Sequence, residues 1–178
     1  MSTDEEGGRP KIRFPRWSAL AYLLVAGPLV HIVIPWAISL LASRRGWVAQ
    51  HPSKWNLLGL IPVVVGLSCI VWCASLHVRE MPHGFVLETT PQYLLVRGPY
   101  KYSRNPIYLA ALPIWLGWAI FYGSASVGAV LLGLLVAWLP LGTLIVRREE
   151  GSLEARFGES YVAYKKSVPR WLGRSHRN

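Results

Sequence analysis

Two short segments carry residue types suited to binding a charged ligand, and the first is RGPYKYSRNPIYLA (Arg97–Ala110). It combines three tyrosines, three cations and two prolines directly in front of the longest uncharged run in the chain. Asn is a preferred N-cap and Pro a preferred first helical residue, so Asn105 and Pro106 predict the start of a helix. The first turn of a helix attracts carboxylate or phosphate, and tyrosine rings can stack on a planar heteroaromatic ring. The pattern is equally consistent with a plain helix start beside an interfacial belt of tyrosines.

The second segment is VRREEGSLEARFGESYVAYKKSVPRW (Val146–Trp171). Its Glu149 and Glu150 come just after an apolar run, where the dipole of a helix ending there would favour cations. The two carboxylates therefore either face a cationic ligand or belong to a solvated helix in which Arg147 and Arg148 neutralise them.

Three long runs without any Asp, Glu, Lys or Arg determine the predicted fold class. They are Trp17–Ser43, Trp55–Val78 and Asn105–Val146, of 27, 24 and 42 residues. About 20 apolar residues cross a ~30 Å hydrocarbon core as a helix, so the first two runs are long enough for one span each. The third is long enough for two spans joined at Tyr122–Ser126, whose small residues favour a turn. We therefore predict an all-α polytopic membrane protein with four transmembrane helices and a C-terminal cytoplasmic helical segment.

The chain divides into three predicted parts. Residues 1–16 are polar and Gly-rich, and we expect a disordered cytoplasmic tail there. Residues 17–171 are predicted to form a single integral membrane domain, in which one helix ends at Gly158 and a short amphipathic helix stops before Pro169. Residues 172–178 are predicted to form a basic tail.

The positive charges predict which side of the protein faces the cytoplasm. With four spans, sixteen of the 19 Lys and Arg residues lie on the side of both termini and the middle loop. Because cytoplasmic segments carry the excess of Lys and Arg, that side is predicted to be cytoplasmic. The net charge of +10 lies beside membrane spans, so we expect contact with anionic membrane lipids and no nucleic acid. Pro28 and Pro35, with Arg44 and Arg45 after them, leave open a broken, re-entrant first run.

The second run ends with residues of metal-ligating type. His77, His83 and Cys73 are close in sequence, but no fourth ligand has suitable spacing, so we predict no metal site. The third run contains tryptophans that either wall a substrate channel or simply pack the helix pair: Trp115, Trp118 and Trp138.

The predicted topology brings the two chemical segments together. The third and fourth spans form one hairpin, so Asn105 and Glu149 lie at its two open ends on the same membrane face. One end offers an anion-binding helix start with aromatic rings, and the other offers carboxylates. A zwitterionic, heteroaromatic ligand with an amino group and a carboxylate fits that pairing.

These two segments, at this separation, resemble the isoprenylcysteine carboxyl methyltransferases and their relatives among the phospholipid N-methyltransferases. The resemblance covers roughly Gln92 to Trp171. It implies an integral membrane methyltransferase that binds S-adenosyl-L-methionine at the cytoplasmic face and methylates a hydrophobic or lipidic acceptor.

The resemblance also implies roles for individual residues. The implied cofactor-binding residues are Gln92, Tyr93, Leu94, Leu95, Tyr100, Asn105, Pro106, Ile107, Tyr108 and Glu149. Glu149 would contact the α-ammonium group of the cofactor. Arg148 and Glu150, which flank it, are the candidate catalytic residues.

Two positions depart from the family pattern. Many members have His where this chain has Asn105, and an amide does not titrate, so an acid/base role at this position is excluded. The carboxyl methyltransferases have a substrate-positioning Arg one turn before the glutamates, where this chain has Ile145, which argues against prenylcysteine as the acceptor.

Two other functions are compatible with a chain of this composition. One is an NADPH-dependent membrane reductase of related architecture, which would need a site for the nicotinamide phosphate. The other is a non-catalytic membrane scaffold or transport subunit, although no charge inside the spans marks an ion pathway.

Overall fold

The computed structural model describes residues 13–15, 25–81, 84–86, 92–137 and 143–172. Most of these residues are helical, as the sequence predicts. The helices, in chain order, are α1 (Val25–Ser39), α2 (Lys54–Glu80), α3 (Pro106–Tyr122), α4 (Ala125–Ala137), α5 (Thr143–Phe157) and α6 (Glu159–Ser167). In α2 a first turn, Lys54–Leu57, is set off from the main body, Leu60–Glu80.

Short strands connect parts of the chain that are distant in sequence. β1 (Arg13–Pro15) pairs antiparallel with β4 (Gly84–Val86), and β2 (Trp47–Val48) pairs antiparallel with β3 (His51–Pro52). The first pair holds the segment before α1 against the loop after α2. β1 lies inside the predicted disordered tail, residues 1–16, and the other residues of that tail lie outside the described part of the chain.

Helix α2 is, among the described residues, the one helix both long and apolar enough to cross a membrane. Only 22% of its most apolar window is buried, and side chains such as Ile61, Val64 and Trp72 are exposed. A contiguous apolar surface of this kind needs lipid or another apolar partner. Helices α1 and α3 are apolar but shorter. The helix predicted over Trp55–Val78 is thus confirmed, and the count of four transmembrane helices stays a prediction.

Helix α1 runs from Val25 to Ser39 without reversing at Pro28 or Pro35. Its middle turn, Leu29–Val33, is wound as a π-helix, in which the N–H of the following residue bonds to the carbonyl of Leu29 five residues back. The described part of the first run is therefore one helix and not a re-entrant pair. Residues 17–24 lie outside the described part.

Helices α2 and α3 make the most extensive contact between described helices, because glycines let their backbones approach closely. A Cβ atom on Gly66 would lie 2.6 Å from the carbonyl oxygen of Ala110. A Cβ atom on Gly117 would lie 2.4 Å from the carbonyl oxygen of Gly59. This contact fixes the start of α3 beside the C-terminal part of α2.

The turn between α3 and α4 lies where the sequence predicts it. Gly123 ends α3 in the left-handed conformation (φ 55°), and α4 begins at Ala125. The loop after α1 and the first turn of α2 both bind this turn, because the N–H of Arg45 donates to the carbonyl of Gly123 and the Asn56 side chain donates to the carbonyl of Ile120. The α3–α4 hairpin therefore has its closed end at this loop and the start of α3 at the opposite end.

Candidate functional site

The start of α3 and the middle of α5 meet through one pair of side chains. The hydroxyl group of Tyr108, in the first turn of α3, donates a hydrogen bond of 3.2 Å to Oε1 of Glu149. Tyr108 is half-buried and Glu149 is exposed. The two segments that the sequence singles out therefore lie side by side.

Asn105 occupies the N-cap position of α3, as predicted, but its side chain does not cap the helix. Its Nδ2 donates instead to the carbonyl of Arg170, at 3.0 Å. Ser103 Oγ accepts from the backbone N–H of Asn105 and donates to the same carbonyl. The chain after α6 is thereby fixed against the start of α3, and the Oδ1 atom of Asn105 accepts no hydrogen bond from the described residues.

Glu150 is the centre of a buried ionic cluster. Arg170 binds its carboxylate with Nε at 3.0 Å and Nη2 at 2.6 Å, and this hydrogen bonding raises the pKa of Arg170. Arg104 Nη1 lies 2.8 Å from Oε1 in an ion pair that lacks hydrogen-bond geometry. Glu150 is 6% exposed and the Arg104 side chain 10% exposed.

The cluster has more positive than negative charge. Two guanidinium groups face one carboxylate, and Nε of Arg104 is buried with no hydrogen-bond partner in the described part of the chain. Since Arg104 directly precedes the start of α3, an excess positive charge lies where the helix dipole also attracts anions.

His77, near the end of α2, binds two tyrosines of the segment that precedes α3. Its Nδ1 lies 2.9 Å from the hydroxyl of Tyr93, and its Nε2 lies 2.7 Å from the hydroxyl of Tyr100. Both ring nitrogens are occupied, so this histidine is not a free metal ligand. His83, the other candidate from the sequence, lies outside the described residues.

Tyrosines of α6 hold the same segment from the other side. The hydroxyl of Tyr164 donates to the carbonyl of Tyr100 at 2.7 Å, and Tyr161 and Tyr164 pack against Leu94. Burial raises the pKa of each of these three tyrosines above its ordinary value. The segment from Gln92 to Tyr100 is thus held between α2 and α6.

The remaining residues implied by the resemblance line the inside of this arrangement. Leu95 is buried with Tyr100, and Ile107 packs against the same cluster. Gln92 is half-buried, and Pro106 is buried as the first residue of α3.

Arg148 and Glu150, the two candidate catalytic residues, differ in environment. Arg148 is exposed, and its carbonyl accepts a hydrogen bond from Ser152. Glu150 is buried against its two arginines. The two candidates therefore differ in exposure although they are only two residues apart in sequence: Arg148 lies at the surface and Glu150 is buried.

The sequence did not predict which side chains Arg104, Arg170 and His77 contact. Arg170 lies in the second quoted segment, but its partners are 20 and 65 residues away, and no local pattern predicts such pairs. The one sequence signal for these contacts was the residue type, because two cations and a histidine lie close to the ends of the apolar runs.

Two cavities border these elements. A groove of about 490 Å³ lies between the segment before α3 and helix α6, with Lys101, Ser160 and Tyr164 among its lining residues. None of its described lining residues is a predicted site residue. A second cavity, of about 270 Å³, is lined by Tyr108 and apolar residues of α1, α3 and α4. The second cavity is the one that touches the Tyr108–Glu149 pair.

The comparison with protein families gives a match for residues 55–160, more than half of the chain, to the model of the phospholipid methyltransferases. The chain belongs to the phospholipid methyltransferase family. It is therefore a membrane methyltransferase by family, which confirms the resemblance at that level. The match includes Gln92, Tyr108 and Glu149, and it excludes Arg170 and all of α1.

One relative of this family member is an uncharacterized protein of Haemophilus influenzae, 36% identical over 66 residues. The aligned part is 37% of this chain and 100% of the relative. No solved structure matches the chain.

Proposed function

We propose that the protein is an S-adenosyl-L-methionine-dependent methyltransferase embedded in the membrane, with a hydrophobic or lipidic acceptor and an active site at the cytoplasmic face. Family membership supports the reaction class, and members of the family generally use this cofactor. The observation that carries the proposal is the hydrogen bond between Tyr108 and Glu149, because it brings a helix start and a carboxylate to one place.

The two ends of the cofactor's methionine part have complementary partners here. The exposed carboxylate of Glu149 binds the α-ammonium group. The first-turn N–H groups of α3, the dipole of that helix and the excess positive charge at Arg104 favour the α-carboxylate. The free Oδ1 of Asn105 adds a hydrogen-bond acceptor between them.

The nucleoside part lies along the segment from Gln92 to Tyr100. Half-buried Gln92 and Tyr93 offer an amide and a ring, and Leu94, Leu95, Pro106 and Ile107 supply the apolar framework. The side chain of Tyr100 is directed to His77, so Tyr100 contributes by holding the segment in place.

Glu150 and Arg148 take different parts in this proposal. Since both carboxylate oxygens of Glu150 are bound by arginines, Glu150 positions Arg104 beside the start of α3. Arg148, exposed and next to Glu149, is placed to attract an anionic group of the acceptor.

For methyl transfer, the protein needs mainly to align the two reactants and to exclude water from the site. The acceptor's lone pair forms a bond to the methyl carbon while the bond from that carbon to sulfur breaks, and the sulfonium becomes a neutral thioether. Holding the two reactants in line supplies much of the rate enhancement, and exclusion of water helps a reaction that moves or destroys charge.

The membrane arrangement in this proposal has four spans, with both termini and the site in the cytoplasm. The pairing of β1 with β4 supports it, because it holds the N-terminal segment against the loop that precedes α3. The excess of Lys and Arg on these segments supports the same orientation.

The test is a transfer assay with membranes that contain the protein, methyl-labelled S-adenosylmethionine and lipid extracts as acceptors. Label in an extractable lipid, followed by mass analysis of the product, is the expected result. Binding of NADPH in place of the methyl donor would favour a reductase. Binding of neither would favour a scaffold or transport subunit.

A further inference from the structure

The cavity of about 270 Å³ beside Tyr108 lies between α1, α3 and α4. Its walls are apolar, with Ala111, Leu112 and Trp115 on α3 and Leu131 on α4. Along α3 the lining residues extend from Tyr108 to Trp115, seven residues or about 10 Å of helix. The cavity therefore leads from the Tyr108–Glu149 pair into the apolar part of the molecule.

The cavity is open to an apolar surface. Val30 of α1 is one of its lining residues and is 41% exposed. Pockets for small molecules have volumes of about 300–1,000 Å³, so this one is large enough for part of a ligand only. A lipid whose reactive end enters the cavity would leave most of its chain in the bilayer.

His31 is the unusual residue of this cavity. It lies in the π-helical turn of α1, a feature that is frequent at functional sites. Trp118 donates its indole N–H to the carbonyl of His31, which fixes the turn against α3. Nδ1 of His31 is buried and has no hydrogen-bond partner among the described residues, and an unpaired buried polar atom is unfavourable unless a ligand supplies the partner.

Among the described residues that line the cavity, His31 is the one suited to act as a base near neutral pH. The described lining residues include no Asp, Glu, Lys or Arg, and His31 and Tyr108 are the only titratable ones among them. Tyr108 is bonded to Glu149, and a tyrosine has an ordinary pKa of about 10, against about 6.5 for histidine. An imidazole is the usual proton acceptor in enzymes.

We infer that this cavity is the acceptor site and that His31 is a catalytic residue which takes the proton of the acceptor's nucleophilic group. The inference rests on the proposed function, since the donor bound at Glu149 supplies the methyl group. It specifies the acceptor as a lipid whose nucleophilic atom carries hydrogen, an amine, hydroxyl or thiol, and not a carboxylate.

The proton and electron balance is complete with these two reactants. The lone pair of the acceptor atom forms the bond to the methyl carbon, and the electrons of the methyl–sulfur bond stay on sulfur, which gives S-adenosylhomocysteine. The proton of the acceptor atom moves to the unprotonated ring nitrogen of neutral His31, while the other ring nitrogen keeps the proton that it already carries. The imidazolium returns the proton to solvent when the products leave.

The first test compares His31→Ala and His31→Asn with His51→Ala, a change at an exposed histidine in the loop after α1. Binding of S-adenosylhomocysteine should be unchanged in all three. The kcat of His31→Ala should fall by about 10²- to 10⁴-fold, the usual contribution of a general base, and its pH–rate profile should lose the acidic limb. His31→Asn keeps a hydrogen-bonding group, so it should restore the KM for the acceptor but not kcat. Wild-type kcat and an unaltered pH profile in His31→Ala would overturn the inference.

If His31→Ala does not fold, a second variant tests whether the acceptor binds in this cavity. Ala111→Phe fills the cavity and should raise the KM for a lipid acceptor while leaving S-adenosylhomocysteine binding intact. An unchanged KM would place the acceptor elsewhere.

The acceptor class is tested with matched lipids that end in an amine, a hydroxyl, a thiol or a carboxylate. Methylation of one of the first three is expected, and preference for the carboxylate would contradict the role of His31. Failure of the wild-type protein to bind S-adenosylhomocysteine at all would instead contradict the proposed function.

Discussion

Tyr108 and Glu149, 41 residues apart in sequence, share a hydrogen bond of 3.2 Å between the first turn of α3 and the middle of α5. Their neighbours take part in a separate, buried set of contacts, in which Arg104 and Arg170 bind Glu150. Two adjacent glutamates on one helix thus have different tasks. Glu149 is exposed and belongs to the proposed donor site, whereas Glu150 is buried and connects the start of α3 to the segment after α6.

Removing the hydroxyl of Tyr108 tests how this residue orients Glu149. Tyr108→Phe loses one hydrogen bond, which contributes about 0.5–1.5 kcal/mol, so S-adenosylhomocysteine should bind about 2- to 10-fold more weakly. Calorimetric titration measures the Kd. The control is Tyr102→Phe, because Tyr102 is 72% exposed, and its Kd should equal that of the wild type. Equal weakening in both variants would show that the effect is not specific to the site.

The buried charge cluster should matter far more for stability than an exposed pair. Glu150→Gln leaves two arginines without their carboxylate, and breaking a buried ion pair costs about 3–5 kcal/mol. The matched control is Glu154→Gln, which breaks an exposed pair with Lys165 that contributes about 0–1 kcal/mol. Denaturant unfolding in detergent micelles measures both. Similar losses in the two variants would contradict the structural role of Glu150.

His77 is expected to hold the segment before α3 in place. His77→Phe removes both hydrogen bonds to Tyr93 and Tyr100, so the amides of residues 92–101 should exchange hydrogen faster. Hydrogen–deuterium exchange with mass spectrometry measures this. Residues 47–52, the strand pair in the loop after α1, serve as the internal reference and should not change. Unaltered exchange in both segments would mean that His77 does not hold the segment.

The buried tyrosines predict a loss of stability at alkaline pH. Burial raises the pKa of Tyr100 and Tyr164 in the folded protein, whereas an unfolded tyrosine titrates near pH 10. Their contribution to stability is therefore complete below about pH 10 and is lost as the pH rises above it, because only the unfolded state then releases its proton. Thermal unfolding between pH 8 and 11 should show a Tm that falls above about pH 10.

A variant separates this effect from general alkaline unfolding. Tyr164→Phe should have a lower Tm at neutral pH, since the hydrogen bond to the Tyr100 carbonyl is lost, and a smaller fall above about pH 10. Tyr102→Phe, at an exposed position, should follow the wild-type curve. A Tyr164→Phe curve parallel to the wild type would contradict the assignment.

Features with local signals were predictable from the sequence. The turn at Gly123, the helix end at Gly158 and the stop of α6 before Pro169 each depend on one residue with a strong conformational preference. The contact between the start of α3, at Tyr108, and Glu149 was also predictable, because the two open ends of a helical hairpin lie at the same end of the helix pair.

Features that depend on distant partners were not predictable. The amide of Asn105 binds the carbonyl of Arg170 and does not cap α3, and the sequence contains no sign of that partner. Glu149 and Glu150 are identical in type and adjacent, and only the position of the two arginines distinguishes them. Pro28 and Pro35 left a broken first run open, whereas the described helix α1 continues past both prolines through a π turn at Leu29–Val33, which no local pattern predicts.

The most direct test of the account is calorimetric titration of S-adenosylhomocysteine into the purified protein and into Glu149→Gln. We expect the wild type to bind and Glu149→Gln to bind at least about tenfold more weakly, since a hydrogen bond to a charged group contributes about 1.5–3 kcal/mol. Glu159→Gln, a change at an exposed glutamate of α6, should bind like the wild type. Indistinguishable titrations for the wild type and Glu149→Gln, or no heat from the wild type, would contradict the account.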